Sequence, residues 1–252
     1  MKVIVWALSS LLLAGVAHAN EGEDASPPSE VAASIDDVLD GNYSTFLHGP
    51  VGGQKATVFL DGGWNTASDD LDAGIKGWLP VYGRFSLVLG AGYRGVTDQW
   101  RPSLGVAVAL VDRGRRDGTA LDLLLQFKTE GFSEPEGELE LTLRSGYRFS
   151  HAAVTLETSY GQDPEANERD GELAADASLL AGRFSFGIGG RGRKNLGGKQ
   201  ELIAWDVQAG PHAGVVVVPG HYVGVTAGVS ALSMNDQTSS GVFGVFSYAL
   251  AY

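Results

Sequence analysis

The chain has no cysteine. Disulfides, thiol catalysis, Cys-ligated metals and lipid attachment at a processed N-terminal cysteine are therefore excluded, and an oxidising compartment poses no hazard. Basic residues are scarce, with 18 Lys and Arg against 30 Asp and Glu, for a formal net charge of −12. Nucleic acid, which needs a basic footprint, is not expected as a partner. Much of the surplus acid sits in the N-terminal tail and in polar connections, where it solvates the chain. Long apolar runs are lacking as well. The one such run, Val3 to Val16, is shorter than the roughly 18–20 residues that a spanning helix needs, which excludes a helical membrane protein. No phosphate loop, nucleotide fingerprint or metal-ligand spacing occurs, so no cofactor and no metal is expected. The Gly-rich GIGGRGRKNLGG opens no helix and reads as a strand end followed by a loop.

The apolar run has a different reading. Lys2 precedes it and Ala17-His18-Ala19 gives a small-x-small cleavage site, so residues 1–19 read as a secretory signal peptide. A polar tail, NEGEDASPPSE, comes next. Ser29 can cap a short helix over Glu30 to Asp40 that carries Val31, Ile35, Val38 and Leu39 on one face and stops at Gly41. NYSTFLHGPVGGQ then reads as an irregular linker. Residues 20–53 form a separate N-terminal segment, and the rest of the chain, 54–252, is of another kind.

Beyond Lys55 the pattern is period two throughout, with twelve segments near 55–65, 70–81, 84–94, 100–111, 119–129, 138–149, 152–161, 171–181, 184–193, 200–218, 222–232 and 241–252. Pro211 in the long tenth segment leaves open a break into two. Connections alternate in character. Tyr82-Gly83-Arg84, Ser150-His151, Gly182-Arg183 and Pro219-Gly220-His221 are tight, with DRGRRDG the long member of that set. NTASDD, GVTDQ, GFSEPEG, QDPEANERD, KNLGGK and MNDQTSS are longer or more polar. Strands running up and down between turns and loops give an all-β, antiparallel up-and-down barrel of about twelve strands.

One phase of the alternation is apolar and free of charge. It includes Leu71, Ile75 and Leu79; Leu104, Val106 and Val108; Leu139, Leu141 and Leu143; Ile203, Trp205 and Val207. Charge falls in the other phase: Lys76, Arg94, Asp122 and Lys128, then Glu138, Glu140, Arg144, Arg148 and Glu157, then Asp176, Arg191, Arg193 and Asp206. Alternation alone does not say which phase is inside. A soluble sandwich would bury the apolar row. Three features favour lipid against it: a closed sheet of about twelve strands is too wide for its own side chains to fill, the aromatics gather near both strand ends, and about 10 residues per strand suffice to cross. The thirteen charged residues are then lumen candidates, with Asp176 able to pair with Arg191, while rows such as Ser103, Gly105, Ala107 and Ala109 leave volume for water or for residues 20–53.

The last stretch, Gly241 to Tyr252, places Val242, Gly244, Phe246, Tyr248, Leu250 and the terminal Tyr252 on one face. A final strand ending on an aromatic resembles the C-terminal signal strand of bacterial outer-membrane β-barrels. That resemblance implies closure against the first strand, recognition of Gly241 to Tyr252 by the barrel assembly machinery, membrane lipid as a partner, and an outer-membrane address. It leaves two roles open: a passive, porin-like channel for small hydrophilic solutes, or a non-conducting barrel whose lumen is closed by charges or by residues 20–53. Enzymes of the same class, of the phospholipase and lipid A deacylase types, carry a His-x-Ser. Here the positions two after His48, His151, His212 and His221 are Pro50, Ala153, Gly214 and Val223. No catalytic residue is expected, and His212 reads as an interior histidine near Asp206 and Gln208.

Overall fold

A computed structural model describes residues 45–47, 49, 55–95, 98–111, 118–132, 136–164, 168–198 and 203–252. The signal peptide and the Ser29-capped helix lie outside the described residues. The strands are β1 (Thr57–Asn65), β2 (Asp70–Tyr82), β3 (Phe85–Arg94), β4 (Gln99–Val111), β5 (Gly118–Thr129), β6 (Gly137–Phe149), β7 (Ala152–Gln162), β8 (Glu168–Ala181), β9 (Phe184–Gly198), β10 (Ile203–Val218), β11 (His221–Met234) and β12 (Gln237–Ala251). Each pairs antiparallel with its sequence neighbours, and β1 pairs with β12 from Thr57↔Ala251 to Asn65↔Phe243, so the sheet closes as a barrel. The start of β1 and the end of β12 lie together at the turn end, as an even strand count requires.

The alternation now has a direction. Leu141 and Leu143 are 46% and 41% exposed, whereas Glu140 and Arg144 are 3% and 0%. Exposed Leu, Val, Phe and Trp residues recur on every strand, giving an apolar exterior far beyond the few hundred Å² of contiguous patch that a soluble surface carries. Hydrocarbon is the solvent that matches it. Closure follows from the same solvent, because an open edge in lipid would leave backbone groups unsatisfied. Aromatic pairs mark both rims, with Tyr93 and Trp100 centroids 5.5 Å apart at the loop end and Tyr147 and Phe149 4.7 Å apart at the turn end.

Local differences from the sequence reading have local causes. MNDQTSS is not a loop. Met234 pairs with Gln237, and Asn235 and Asp236 turn with φ of 50° and 63°, the both-positive pattern of a type I′ hairpin that Asn and Asp tolerate. KNLGGK largely continues β9, which runs to Gly198. Pro211 does not split β10. The ladder to β9 runs through it, opposite Ile188, while paired positions toward β11 lapse between Ala209 and His212, so the missing N–H falls where the ladder is interrupted. Ile203 was assigned to the outward row, yet it lines the interior. A register shift between Ile203 and Trp205 inverts the phase there.

The interior is also not uniform. Near the tight turns the inward side chains are apolar: Phe59, Trp78, Val88, Leu124, Leu180, Val216 and Tyr222 join the small Ala107, Ala153 and Ala249 in one buried cluster. Twelve strands are thus not too wide to fill at this end. Bulky rings inside, small residues between them and chain from the N-terminal segment supply the volume.

Candidate functional site

The loop half of the interior is a cavity of about 520 Å³ whose floor is Thr45, Phe46 and Leu47. Its wall is built by strand register. On β3 and β4 the pairs Arg94↔Gln99 and Gly92↔Arg101 aim both arginines inward. On β5 and β6, Lys128↔Glu138, Gln126↔Glu140 and Asp122↔Arg144 stack charge along one face of the pair. On β8 and β9, Glu172↔Arg193 and Ala174↔Arg191 do the same. Diagonal neighbours then bond: Lys128 Nζ pairs with Glu140, and Arg193 Nε donates to Asp170. Gln126 Nε2 donates to Glu140 Oε1 at 2.7 Å. Arg94 has Arg193, Arg101, Asp206 and Arg191 within electrostatic reach, so β3 and β4 face β9 and β10 across the barrel with arginines from both sides. Arg101 Nε is buried without a hydrogen-bond partner. Among the described residues neither Arg101 nor Arg191 has a carboxylate partner.

Of the thirteen candidates, Lys76, Arg94, Lys128, Glu138, Glu140, Arg191 and Arg193 meet at this cavity. Asp206 stands beside Arg94. Asp122, Arg144, Arg148, Glu157 and Asp176 are buried. Arg144 Nη2 donates to Asp122 Oδ2 at 3.0 Å, and its guanidinium lies 4.4 Å from the Trp78 ring centroid. Asp176 does not pair with Arg191, because the register sets Gly189 opposite Asp176 and Ala174 opposite Arg191. Its partners are His212 Nε2 at 2.7 Å and the Ser178 hydroxyl at 2.7 Å. His212 therefore leans over β9 to β8, not toward Asp206 and Gln208. It passes above Gly187, where any Cβ would lie 2.4 Å from Nε2.

Ser178, His212 and Asp176 share a corner without forming a relay. Ser178 Oγ lies 3.5 Å from His212 Nε2, the same nitrogen that meets Asp176, and Ser178 donates to Asp176 directly. Nucleophilic activation needs the base to face serine with one nitrogen and the carboxylate with the other.

Sequence reasoning missed Arg101, Arg169 and Asp170, all at the cavity. Arg101 follows the outward Trp100, so strict alternation assigns it inward; Arg169 and Asp170 were lost because β8 was started at Gly171. The floor could not be found by periodicity. Phe46 packs edge-on against Phe243 with centroids 6.0 Å apart, and Thr45 Oγ1 donates to Thr226 Oγ1 at 3.1 Å.

The fold is that of known bacterial porins. The chain matches a NanC porin structure over 77% of its length and 98% of that chain, with a TM-score of 0.59 and 8% identity. It matches the KdgM porin with a TM-score of 0.56 and 9% identity, over 78% of this chain and 99% of that one. It also matches KdgM porin in complex with disordered oligogalacturonate, with a TM-score of 0.59 at 8% identity. At such identities the likeness is one of fold. No protein-family model and no curated protein matches the sequence.

Proposed function

We propose that the protein is a passive channel of the bacterial outer membrane for small hydrophilic solutes, entered from the loop end, with a preference for solutes that carry negative charge. The observation that carries this reading is one charged cavity inside an apolar-coated cylinder, lined by acids and bases alike, at which the guanidiniums of Arg101 and Arg191 are not tied into an ion pair with the wall. Carboxylates neutralise much of the wall: Asp170 holds Arg193 and Glu140 holds Lys128. Arginine offers a planar set of donors that suits carboxylate and phosphate. Oligogalacturonate, the compound in one porin neighbour, is an anionic sugar chain, which fits the same preference. Export by the signal peptide and insertion through Gly241 to Tyr252 complete the proposal.

Planar-bilayer recording tests it. Purified protein should give discrete conductance steps, and under a KCl gradient the reversal potential should lie on the anion side. Replacing Arg101 and Arg191 together by Gln should move it toward the cation side. A closed, structural barrel is the second reading, favoured by the apolar layer and the occupied floor. Silence of both the full chain and a chain lacking residues 20–53 would select it.

A further inference from the structure

Between β5 and β9 the cavity wall pairs its charges across neighbouring strands. Lys128 on β5 is bound to Glu140 on β6, and Arg193 on β9 to Asp170 on β8. Glu138 belongs to neither pair, although it stands in register with Lys128. Gly161 on β7 gives it another place. The register sets Gly161 between Glu140 of β6 and Asp170 of β8, so it parts two acidic strands without a side chain of its own. Carboxyls from both sides meet above it. A Cβ there would overlap Glu138 Oε1 and lie 2.5 Å from Asp170 Oδ1. The two carboxyl groups are hydrogen-bonded to each other. Arg193 Nε takes the other Asp170 oxygen, Oδ2. Glu138 Oε1 is buried, and no donor among the described residues reaches it.

An ionised carboxylate accepts hydrogen bonds and donates none. Two of them bond to each other only when one carries a proton, since like charges at such a distance do not both ionise readily. Arg193 holds Asp170 in its charged form, which assigns the proton to Glu138. We propose that Glu138 and Asp170 share one proton above Gly161, and that its release turns the cavity wall from favouring anions toward admitting cations. Release breaks the O–H bond, leaves the electron pair on Glu138 as a second carboxylate and passes the proton to lumen water. With the proton in place, Lys128 balances Glu140 and Arg193 balances Asp170, so Arg101 and Arg191 set the sign of the wall. Without it, Glu138 opposes them. The charged groups that face Glu138 are Lys128 from β5, Glu140 from its own strand and Asp170 from β8, the last held by Arg193 of β9. Asp163, Arg169 and Glu172 line the same cavity. The switch rests on the channel reading; the shared proton does not.

Infrared spectroscopy of the detergent-solubilised full chain reads the proton directly, as the C=O stretch of a protonated carboxyl. That band should be present at about pH 7, where isolated carboxyls are ionised. Glu138→Gln should remove one carboxyl's share of it. Gly161→Ala places a methyl where the Glu138 carboxyl sits and should remove the same share while both acids remain in the chain. Glu138→Asp, shorter by one methylene, serves the same purpose should the alanine variant fail to refold. Planar bilayers read the consequence. The reversal potential should move toward the cation side as pH is raised through loss of the band, and Glu138→Gln should lose most of that movement. A spectrum with no protonated-carboxyl intensity that depends on Glu138, or intensity that survives its separation from Asp170, overturns the proposal. If the band behaves as expected and nothing conducts, the channel reading and the switch fail and the shared proton stands. If the barrel conducts and its selectivity follows pH equally in the parent and in Glu138→Gln, the switch is overturned and the channel stands.

Discussion

The two halves of the interior face the same circumference of sheet and fill it in opposite ways. Toward the loops the wall is ionic and encloses a cavity, and Lys128 keeps 31% of its side chain accessible while bound to Glu140. Toward the turns Phe59, Trp78, Leu124 and Val216 close the interior to 2% exposure or less, and the charges among them, such as Arg144 with Asp122, are buried and paired. In the proposed channel an ion would enter the first region among charges. In the second it would lose its hydration with little in return, which is expensive for any charge. For the proposed channel, selectivity would belong to the loop half and the barrier to the turn half.

Removing one partner from an ion pair in each half should separate them most strongly. Arg144→Met leaves Asp122 buried without its guanidinium, and breaking a buried pair in this way costs about 3–5 kcal/mol. Lys128→Met removes a group that already reaches the cavity, and Gln126 still serves Glu140, so about 1 kcal/mol is expected. Urea midpoints of the detergent-refolded barrel measure both. Equal losses would erase the distinction between a dry and a wet half.

Packing offers the next contrast. Phe59→Ala opens a void in the apolar layer and should cost about 3 kcal/mol. Ile203→Ala, at the edge of a cavity that water can fill, should cost about 1 kcal/mol. The first change should also raise conductance by thinning the barrier, and the second should leave it unaltered. A Phe59→Ala variant as stable as Ile203→Ala would place no dry layer at the turn end.

The charged strands were legible in the sequence because charge reveals phase: Glu138, Glu140, Arg144 and Arg148 repeat every second or fourth residue, and one charged position commits a whole strand. The strands without such charges, β11 and β12 among them, followed from the period-two alternation of apolar and small residues, and the order of all twelve from the alternating connections. The apolar layer was not legible, because near the turns both faces are greasy. Phe59 lies between Val58 and Leu60, and Val216 lies within a run of four valines, so period two has nothing to contrast. Bulges hid Ile203 in the same way, by inverting a phase that sequence must take as constant. Phe46 carries no periodic signal at all, and its place is set by Gly189 and Phe243, which lie far from it in sequence.

The smallest contrast lies in the connections at the two ends. At the turn end, backbone with positive φ is given to glycine, as at Gly182 with φ of 61°; at the loop end it falls on Asp69, Asp98, Asn235 and Asp236 as well as on Gly197. Gly182→Ala meets no atom within 4 Å of the new Cβ, so its cost is the left-handed backbone alone, about 1 kcal/mol. Asp236→Gly removes a strain of the same kind that the native residue already bears, but it also frees the unfolded chain, and the two effects oppose. A net change within about 0.5 kcal/mol is expected. Unfolding midpoints resolve the pair, and a Gly182→Ala variant indistinguishable from the parent would mean that the turn end tolerates a side chain as readily as the loop end does.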